Sequence, residues 1–382
     1  MGKIFHKNLF RYKLFGRFIS LCFATLLICI SLSGLPVFNT STVMLAAPTA
    51  SEWDVLVRID PSLLNFQTQL VSVDRRNGAI NENKDIFISV GMQRHSSKLI
   101  AYGILTKNAG LIDTGIKILE YAFARQSADG SFPSFLPEGA EGIPRSVSFF
   151  FQDLGRSFLL TQNSSWFQSS SQTKGLRDRM NKLIKPAINS LNWLITQEGV
   201  LKKHDRSATN RILFHALAYY LVGKAVRRPD AKKIGENFAH MALKQQNKEG
   251  FFPENKGYDT SYNGVSLQLA LILYTNLDAN SSLRLDLWRG IEQSVAWQKN
   301  FFLPGGELST TGNTRIRAGG ERFLGRKKTV DYVPLIIAFN YYSKLSGDPS
   351  AQALANRTFA FYRESKERTT KRERAREREV AR

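Results

Sequence analysis

The sequence predicts an all-α protein assembled from stacked helical hairpins. Three observations carry that prediction. From about residue 89 onward, segments apolar on nearly every side alternate with segments apolar along one face. The connections between them repeat one pattern, a polar run followed by a glycine and an aromatic or aliphatic residue. At 382 residues and 43% hydrophobic content, the chain can bury a large core as a single body.

The N-terminus stands apart from that body. Its first seventeen residues carry Lys3, Lys7, Arg11, Lys13 and Arg17 and no acid, and the apolar run FISLCFATLLICISLSGL follows over 18–35. A charged stretch before an apolar one is the pattern of export. Residues 1–50 are therefore expected to form a signal peptide. The alternative is an uncleaved anchor, because about 18 apolar residues can span a bilayer. The protein is expected in the periplasm, in the cell envelope or secreted, touching a membrane only through this segment. Cys22 and Cys29 both lie here, which leaves the body, residues 51–362, without a disulfide or a thiolate metal site.

Within the body, GVSLQLALILY (264–274), LFHALAYYLVG (213–223) and VPLIIAFNYY (333–342) are apolar all round, so each is expected to be buried on every side. KLIKPAINSLNWLI (182–195) differs. Leu183, Ile184, Ala187, Ile188, Leu191 and Ile195 recur at helical spacing, while Lys182, Lys185, Asn189 and Asn192 face away. The segments 111–126 and 283–298 repeat that amphipathic design. Alternation of the two kinds predicts inner and outer helices paired as hairpins.

Outer helices end in QSADGSFPSF (126–135), TQEGVLKKHD (196–205), QQNKEGFFPE (245–254) and WQKNFFLPGGE (297–307). Gly130, Gly199, Gly250 and Gly306 are the expected left-handed stops, and the residue that follows is expected to fill the gap between hairpins. The pattern Q-x-x-[DE]-G-x-F, then a loop and a buried helix, resembles the (α/α) toroid proteins. These include polysaccharide lyases of the alginate and hyaluronate/chondroitin type, some glycoside hydrolases and epimerases, and the terpene cyclases. The resemblance spans roughly residues 89 to 362. It implies an (α/α) toroid, an incomplete barrel of about five hairpins, whose outer-to-inner loops line the binding end of a central cavity. The terpene cyclases are set aside, since no DxDD-type acid or Asp-rich metal motif is present.

Charge narrows the partner. The chain carries +21, of which the tail 363–382 supplies nine bases against five acids. That tail is a solvated helix extension or a disordered segment and is given no chemistry. A basic body favours an anionic partner. Export excludes nucleic acid, so an acidic polysaccharide or oligosaccharide is expected.

The loops supply the candidate residues. Aromatic rings stack on sugar faces, and arginine forks bind carboxylate or sulfate. In the lyases that the toroid resembles, Asn, His, Tyr and Arg perform β-elimination without a metal. Carried onto this chain, Tyr258 or Tyr262 is the acid/base, His204 the partner base, and Asn210, Asn263 and Arg315 hold the substrate carboxylate. Arg211, Glu254, Asn313 and Arg317 complete the binding set. Hydrolysis instead needs two carboxyl groups about 5 Å apart for retention or about 6.5–9.5 Å for inversion. Asp205, Glu254, Asp259 and Glu307 could supply them, Asp259 first, although an Asp in that position also caps a helix. A metal-independent lyase is placed ahead of a hydrolase, with a non-catalytic glycan-binding envelope protein as the rival.

The histidines and motifs add little. His95 borders the cavity from the first inner helix, and His215 sits in an apolar helix as a core residue. No HExxH, GxGxxG or GxxxxGK[ST] pattern occurs, so neither a metal site nor a nucleotide cofactor is expected. The long loop 304–332 interleaves glycines with Arg315, Arg317, Arg322, Arg326, Lys327 and Lys328, a composition suited to wrapping an anionic chain.

Overall fold

Apolar spacing decides where the helices form and which way they face. In the computed structural model, residues 47–136, 139–317 and 319–380 are described, with side chains through Lys371. Nearly all of the expected signal or anchor segment, with Cys22 and Cys29, lies outside the described residues. Two short helices lead in, α1 (Glu52–Leu56) and α2 (Pro61–Gln69). The first hairpin is α3 (Ser96–Leu105) with α4 (Ala109–Phe123). The second pairs α5 (Gly142–Asn163) with an outer layer broken into α6 (Ser165–Ser169), α7 (Lys174–Lys182) and α8 (Ile184–Thr196), and α9 (Glu198–His204) follows. The last three are α10 (Thr209–Ala225) with α11 (Pro229–Gln245), α12 (Thr260–Asn276) with α13 (Leu283–Lys299), and α14 (Tyr332–Ser346) with α15 (Pro349–Val380). A two-stranded ribbon, β1 (Arg322–Phe323) and β2 (Arg326–Lys327), punctuates the long loop before α14.

Helices α3, α5, α10, α12 and α14 pack side by side in that order, each backed by its outer partner. The first and last do not close on each other in the same way, so the barrel is incomplete, an (α/α) toroid. The inner helices earn their position by composition. Along α12, Leu267, Leu269, Ala270, Leu271, Ile272, Leu273 and Tyr274 are all buried, and each large aliphatic side chain contributes about 1.5–3 kcal/mol. The outer α4 buries only one stripe, Ile112, Ile116 and Leu119 among it.

The repeated turn has a physical reason. Gly250 adopts φ +105°, and a Cβ there would lie 2.5 Å from the Gln293 carbonyl oxygen of the next outer helix. Only glycine allows that approach. Gln246 crosses the same junction, its amide donating to the carbonyls of Gly250 and Gly290 at 2.7 Å. Gln126 makes the equivalent link to Pro186 and Ser190. Gly199 departs from the expectation: it lies inside α9, where an added Cβ would meet open space, so it stops no helix.

The two ends of the barrel differ. At the C-terminal ends of the inner helices, α1 inserts as a plug. Its Glu52 is buried and bonds Arg156 Nε at 2.6 Å, Asn276 Nδ2 at 2.8 Å and the Tyr341 hydroxyl at 3.0 Å. A cavity of about 150 Å³ beside the plug is lined by Asn163, Lys224, Asn276 and Arg284 and holds none of the predicted site residues. Outer helices separate successive inner ones, so the inner helices run parallel and their N-termini gather at the opposite, unplugged end.

Candidate functional site

Five inner helix N-termini bring their unpaired N–H groups and positive dipole ends together. The loops before them are tied into one layer. Thr209 N–H donates to the Pro253 carbonyl at 3.2 Å, Asn255 N–H to Ser207 at 2.9 Å and Thr314 N–H to Tyr258 at 3.0 Å. Three charged networks occupy this end.

The first centres on Arg315, which is buried. Its Nε and Nη2 meet Glu321 at 2.6 and 2.7 Å, its Nη1 meets Glu254 Oε1, and its guanidinium lies 4.1 Å over the Tyr262 ring. Lys328 donates to Glu321 at 2.9 Å and to the Tyr262 hydroxyl at 2.8 Å. Burial opposes ionisation of Glu321, but bonds from Arg315 and Lys328 hold it at about 2. For Glu254 burial wins over Arg315 and pushes it up to about 7. Its Oε2 is buried and makes no hydrogen bond among the described residues, which suits a protonated oxygen. Burial also pushes the Tyr262 hydroxyl well above its ordinary value.

The second network centres on Asp205. Arg145 reaches it at 2.7 and 3.0 Å, Arg211 at 3.0 Å and His215 Nε2 at 2.9 Å, while His215 Nδ1 meets Ser148 Oγ at 2.8 Å. Burial is outweighed at Asp205 by the His215 and Arg145 bonds, which hold it well below the usual carboxylate range; burial lowers His215 against the pull of Asp205. Ser148, His215 and Asp205 have the residue types of a nucleophilic triad. All three are sealed from solvent, so the row braces α5 against α10.

The third lies at the start of α3. Asp153 on α5 accepts the N–H groups of His95, Ser96 and Ser97 at 3.0, 2.7 and 3.2 Å, capping α3 from a neighbouring helix. Beside the cap stand Arg94, His95 and Lys98, all half-buried, and across from them Asp331 at the head of α14. Asp331 itself is exposed. Its N–H donates to Ser261 Oγ at 3.0 Å, and its carboxylate forms no ion pair among the described residues. Burial raises Asp331, with Lys98, the Val333 N–H and Arg94 pulling the other way. Burial lowers Arg94, His95 and Lys98, and for His95 the cations Lys98 and Arg94 add to the effect.

The residues singled out from sequence scatter over these networks. Tyr262, Arg315 and Glu254 come together. Tyr258 does not join them, because α12 begins at Thr260, after it. Its ring packs edge-on to Phe251 and Trp297 and beside Phe301, and its hydroxyl donates to the Thr311 carbonyl at 3.1 Å. Asp259 is fully buried and accepts four backbone N–H groups, from Ser261 at 3.1, Tyr262 at 3.2, Arg315 at 3.0 and Ile316 at 2.7 Å. That is a helix cap tied to a loop brace. Asn263 is spent on Phe252 N–H, Ser294 and Gln298, and Asn313 on Thr260 and Ile316. Asn210 accepts the Arg211 N–H at 2.8 Å and its amide nitrogen has no partner among the described residues. His204 is exposed at the end of α9 with Nδ1 3.5 Å from Glu141, and Arg317 is exposed on its loop. Of the elimination set (Tyr258 or Tyr262, with His204, Asn210, Asn263 and Arg315), Tyr262 and Arg315 meet, while Tyr258, His204 and Asn263 are engaged elsewhere.

Sequence reasoning passed over Arg94, Lys98 and Asp331. The available signals were weak: Arg94 and Lys98 are four residues apart across the start of an inner helix, and Asp331 precedes α14 as Asp259 precedes α12.

No family model matches this chain, and no curated protein matches it. Two solved structures are similar. One is the unsaturated glucuronyl hydrolase from Bacillus sp. GL1, responsible for glycosaminoglycan degradation, at 13% identity and TM-score 0.46, covering 69% of this chain and 78% of that one. The other is a UGL variant with dGlcA-Glc-Rha-Glc, at 12% identity and TM-score 0.46, covering 75% of this chain and 80% of that one. Neither transfers a residue role to this chain.

Proposed function

We propose that this chain is an exported enzyme that hydrolyses an acidic glycan, with Asp331 as the carboxyl that transfers the proton. Asp331 carries the reading: an exposed carboxyl at the head of α14 with no ion-pair partner among the described residues, raised above its ordinary value by the surrounding protein. Protonation of a glycosidic oxygen is served by a carboxyl whose proton affinity is raised above the ordinary carboxylate range. At the same end Phe149, Phe214 and Tyr262 are half-buried, and aromatic surface of that kind suits sugar rings. Elimination has less support, since a tyrosine whose hydroxyl is pushed up is a poor base and two of the three candidate asparagines are committed to the scaffold. Export rests on the N-terminal charge pattern; among the described residues no helix is long and apolar enough to cross a membrane.

The test incubates the full chain with acidic and neutral polysaccharides, following reducing ends and the ultraviolet absorbance of unsaturated uronate together. New reducing ends without absorbance, lost in Asp331→Asn, are expected. A rise in absorbance would return the assignment to elimination. Binding without either signal would leave a glycan-binding protein.

A further inference from the structure

The other cleft cations described above are matched by carboxylates. Arg145 and Arg211 share Asp205, Arg315 has Glu254 and Glu321, and Lys328 has Glu321. Arg94 and Lys98 are the exception. Lys98 makes no hydrogen bond or ion pair among the described residues. Arg94 has no carboxylate partner either; its guanidinium lies 5.1 Å over Phe149 and 5.6 Å over Phe214, whose rings are 4.4 Å apart. Stacking of this kind fixes the guanidinium plane and leaves its N–H donors free.

The pair is not a helix-end site, because Asp153 already occupies the N-terminal N–H groups of α3. Arg94 precedes the cap of α3 and Lys98 lies in its first turn; the two cations flank His95 and both act on Asp331. Two half-buried cations without a carboxylate partner among the described residues cost free energy that an anionic ligand would offset.

We infer that Arg94 and Lys98 form a receptor for one anionic group of the glycan, a carboxylate or a sulfate, placed beside Asp331. This rests on the reading that the open end receives an acidic glycan. Asp331 faces Lys98 and Arg94 from α3 and its approach, Lys366 and Tyr362 from α15, and Ser261 from α12. An anion seated on Arg94 and Lys98 would offset two of the three cations that favour ionised Asp331, leaving Lys366. Binding is therefore expected to be accompanied by proton uptake at Asp331.

Titration calorimetry on the full chain tests this with three probes: a hyaluronan tetrasaccharide, its carboxyl-reduced counterpart and a κ-carrageenan tetrasaccharide. The first carries carboxylate, the second neither group, the third sulfate alone. Binding of the first that is lost on carboxyl reduction assigns a carboxylate; binding of the third assigns a sulfate. In either case Lys98→Met and Arg94→Gln are each expected to weaken binding by about tenfold or more, and Lys98→Arg to retain most of it. Repeating the titration in buffers of different ionisation enthalpy reads the proton uptake, which Asp331→Asn should abolish without abolishing binding. Thermal melts separate lost binding from lost fold. Anion binding unchanged in both charge-removing variants, or no anion-dependent binding by the wild type, overturns the inference. Turnover that depends on Asp331 but ignores Arg94 and Lys98 would defeat this inference alone. Anion binding that needs the pair, with no turnover of any glycan, would defeat the enzymatic reading alone.

Discussion

Asp259 separates two ways of using a loop carboxylate, and its replacement tests the structural reasoning directly. The side chain accepts two N–H groups from the first turn of α12 and two from Arg315 and Ile316 in the loop before α14. Loss of an Asp cap costs about 0.5–2 kcal/mol. Orphaning a buried N–H costs about 1–3 kcal/mol, and two such groups would be left in the loop. Allowing for relaxation of that loop, Asp259→Ala should cost roughly 3–5 kcal/mol.

For a body of this size, that loss corresponds to a fall of roughly 4–7 °C in Tm. Asp259→Asn should lose a large part of it, because the amide turns an N–H toward donors. Denaturant melts followed by circular dichroism give the stability, and glycan turnover of the folded protein gives the activity. A variant Asp259→Asn with the wild-type midpoint and no turnover would refute the brace and restore Asp259 as a catalytic acid.

Other residues give shorter tests. Glu254 has its folded value raised to about 7 from 4.5, so its contribution is greatest below pH 4.5 and is lost as pH rises toward 7. The loss is on the order of 3 kcal/mol, and denaturant midpoints of Glu254→Gln should be flatter than wild type across that window. Glu52→Ala leaves Arg156 buried without a carboxylate and should cost about 3–5 kcal/mol in denaturant melts, with turnover of the folded fraction unchanged. Tyr258→Phe removes one bond to a carbonyl; it should cost about 1 kcal/mol and leave kcat unaltered, whereas a large fall in kcat would place Tyr258 in the chemistry.

The scaffold was far more legible than the site. Segments 213–223, 264–274 and 333–342 lie inside α10, α12 and α14 because all-round apolarity leaves a helix nowhere else to go. The Q-x-x-[DE]-G-x-F turn was readable because its glycine answers a local need, the close backbone approach at Gly250. Gly199 misled because the same letters stand where α9 continues as helix. At the site, residue type said little about availability. Asp259, Asn263 and Asn313 look like ligand groups in a list of polar residues, yet each is bound to backbone or neighbouring side chains across 11 to 57 positions of sequence. Long-range partners of that kind leave no periodic trace. The same limit hid Arg94 and Lys98, whose distinction is the absence of a partner.

This matters for how the protein's charge should be understood. A net charge of +21 suggests a polycationic groove. At the cleft, however, Arg145 and Arg211 pair with Asp205, and Arg315 and Lys328 pair with Glu321, so they stiffen the loops and add less to the field a ligand meets than four free cations would. If recognition comes down to Arg94 and Lys98, an acidic oligosaccharide is held at one anionic group, and longer chains gain contacts without gaining paired charges. Affinity should then weaken with salt as for about one or two charges, with a slope that stays constant as the oligosaccharide lengthens. A groove that tracked the whole anionic chain would show a slope that grows with each charged sugar added. Titrations of increasing chain length at several salt concentrations separate the two, and a growing slope would move recognition to the exposed bases of the 304–331 loop.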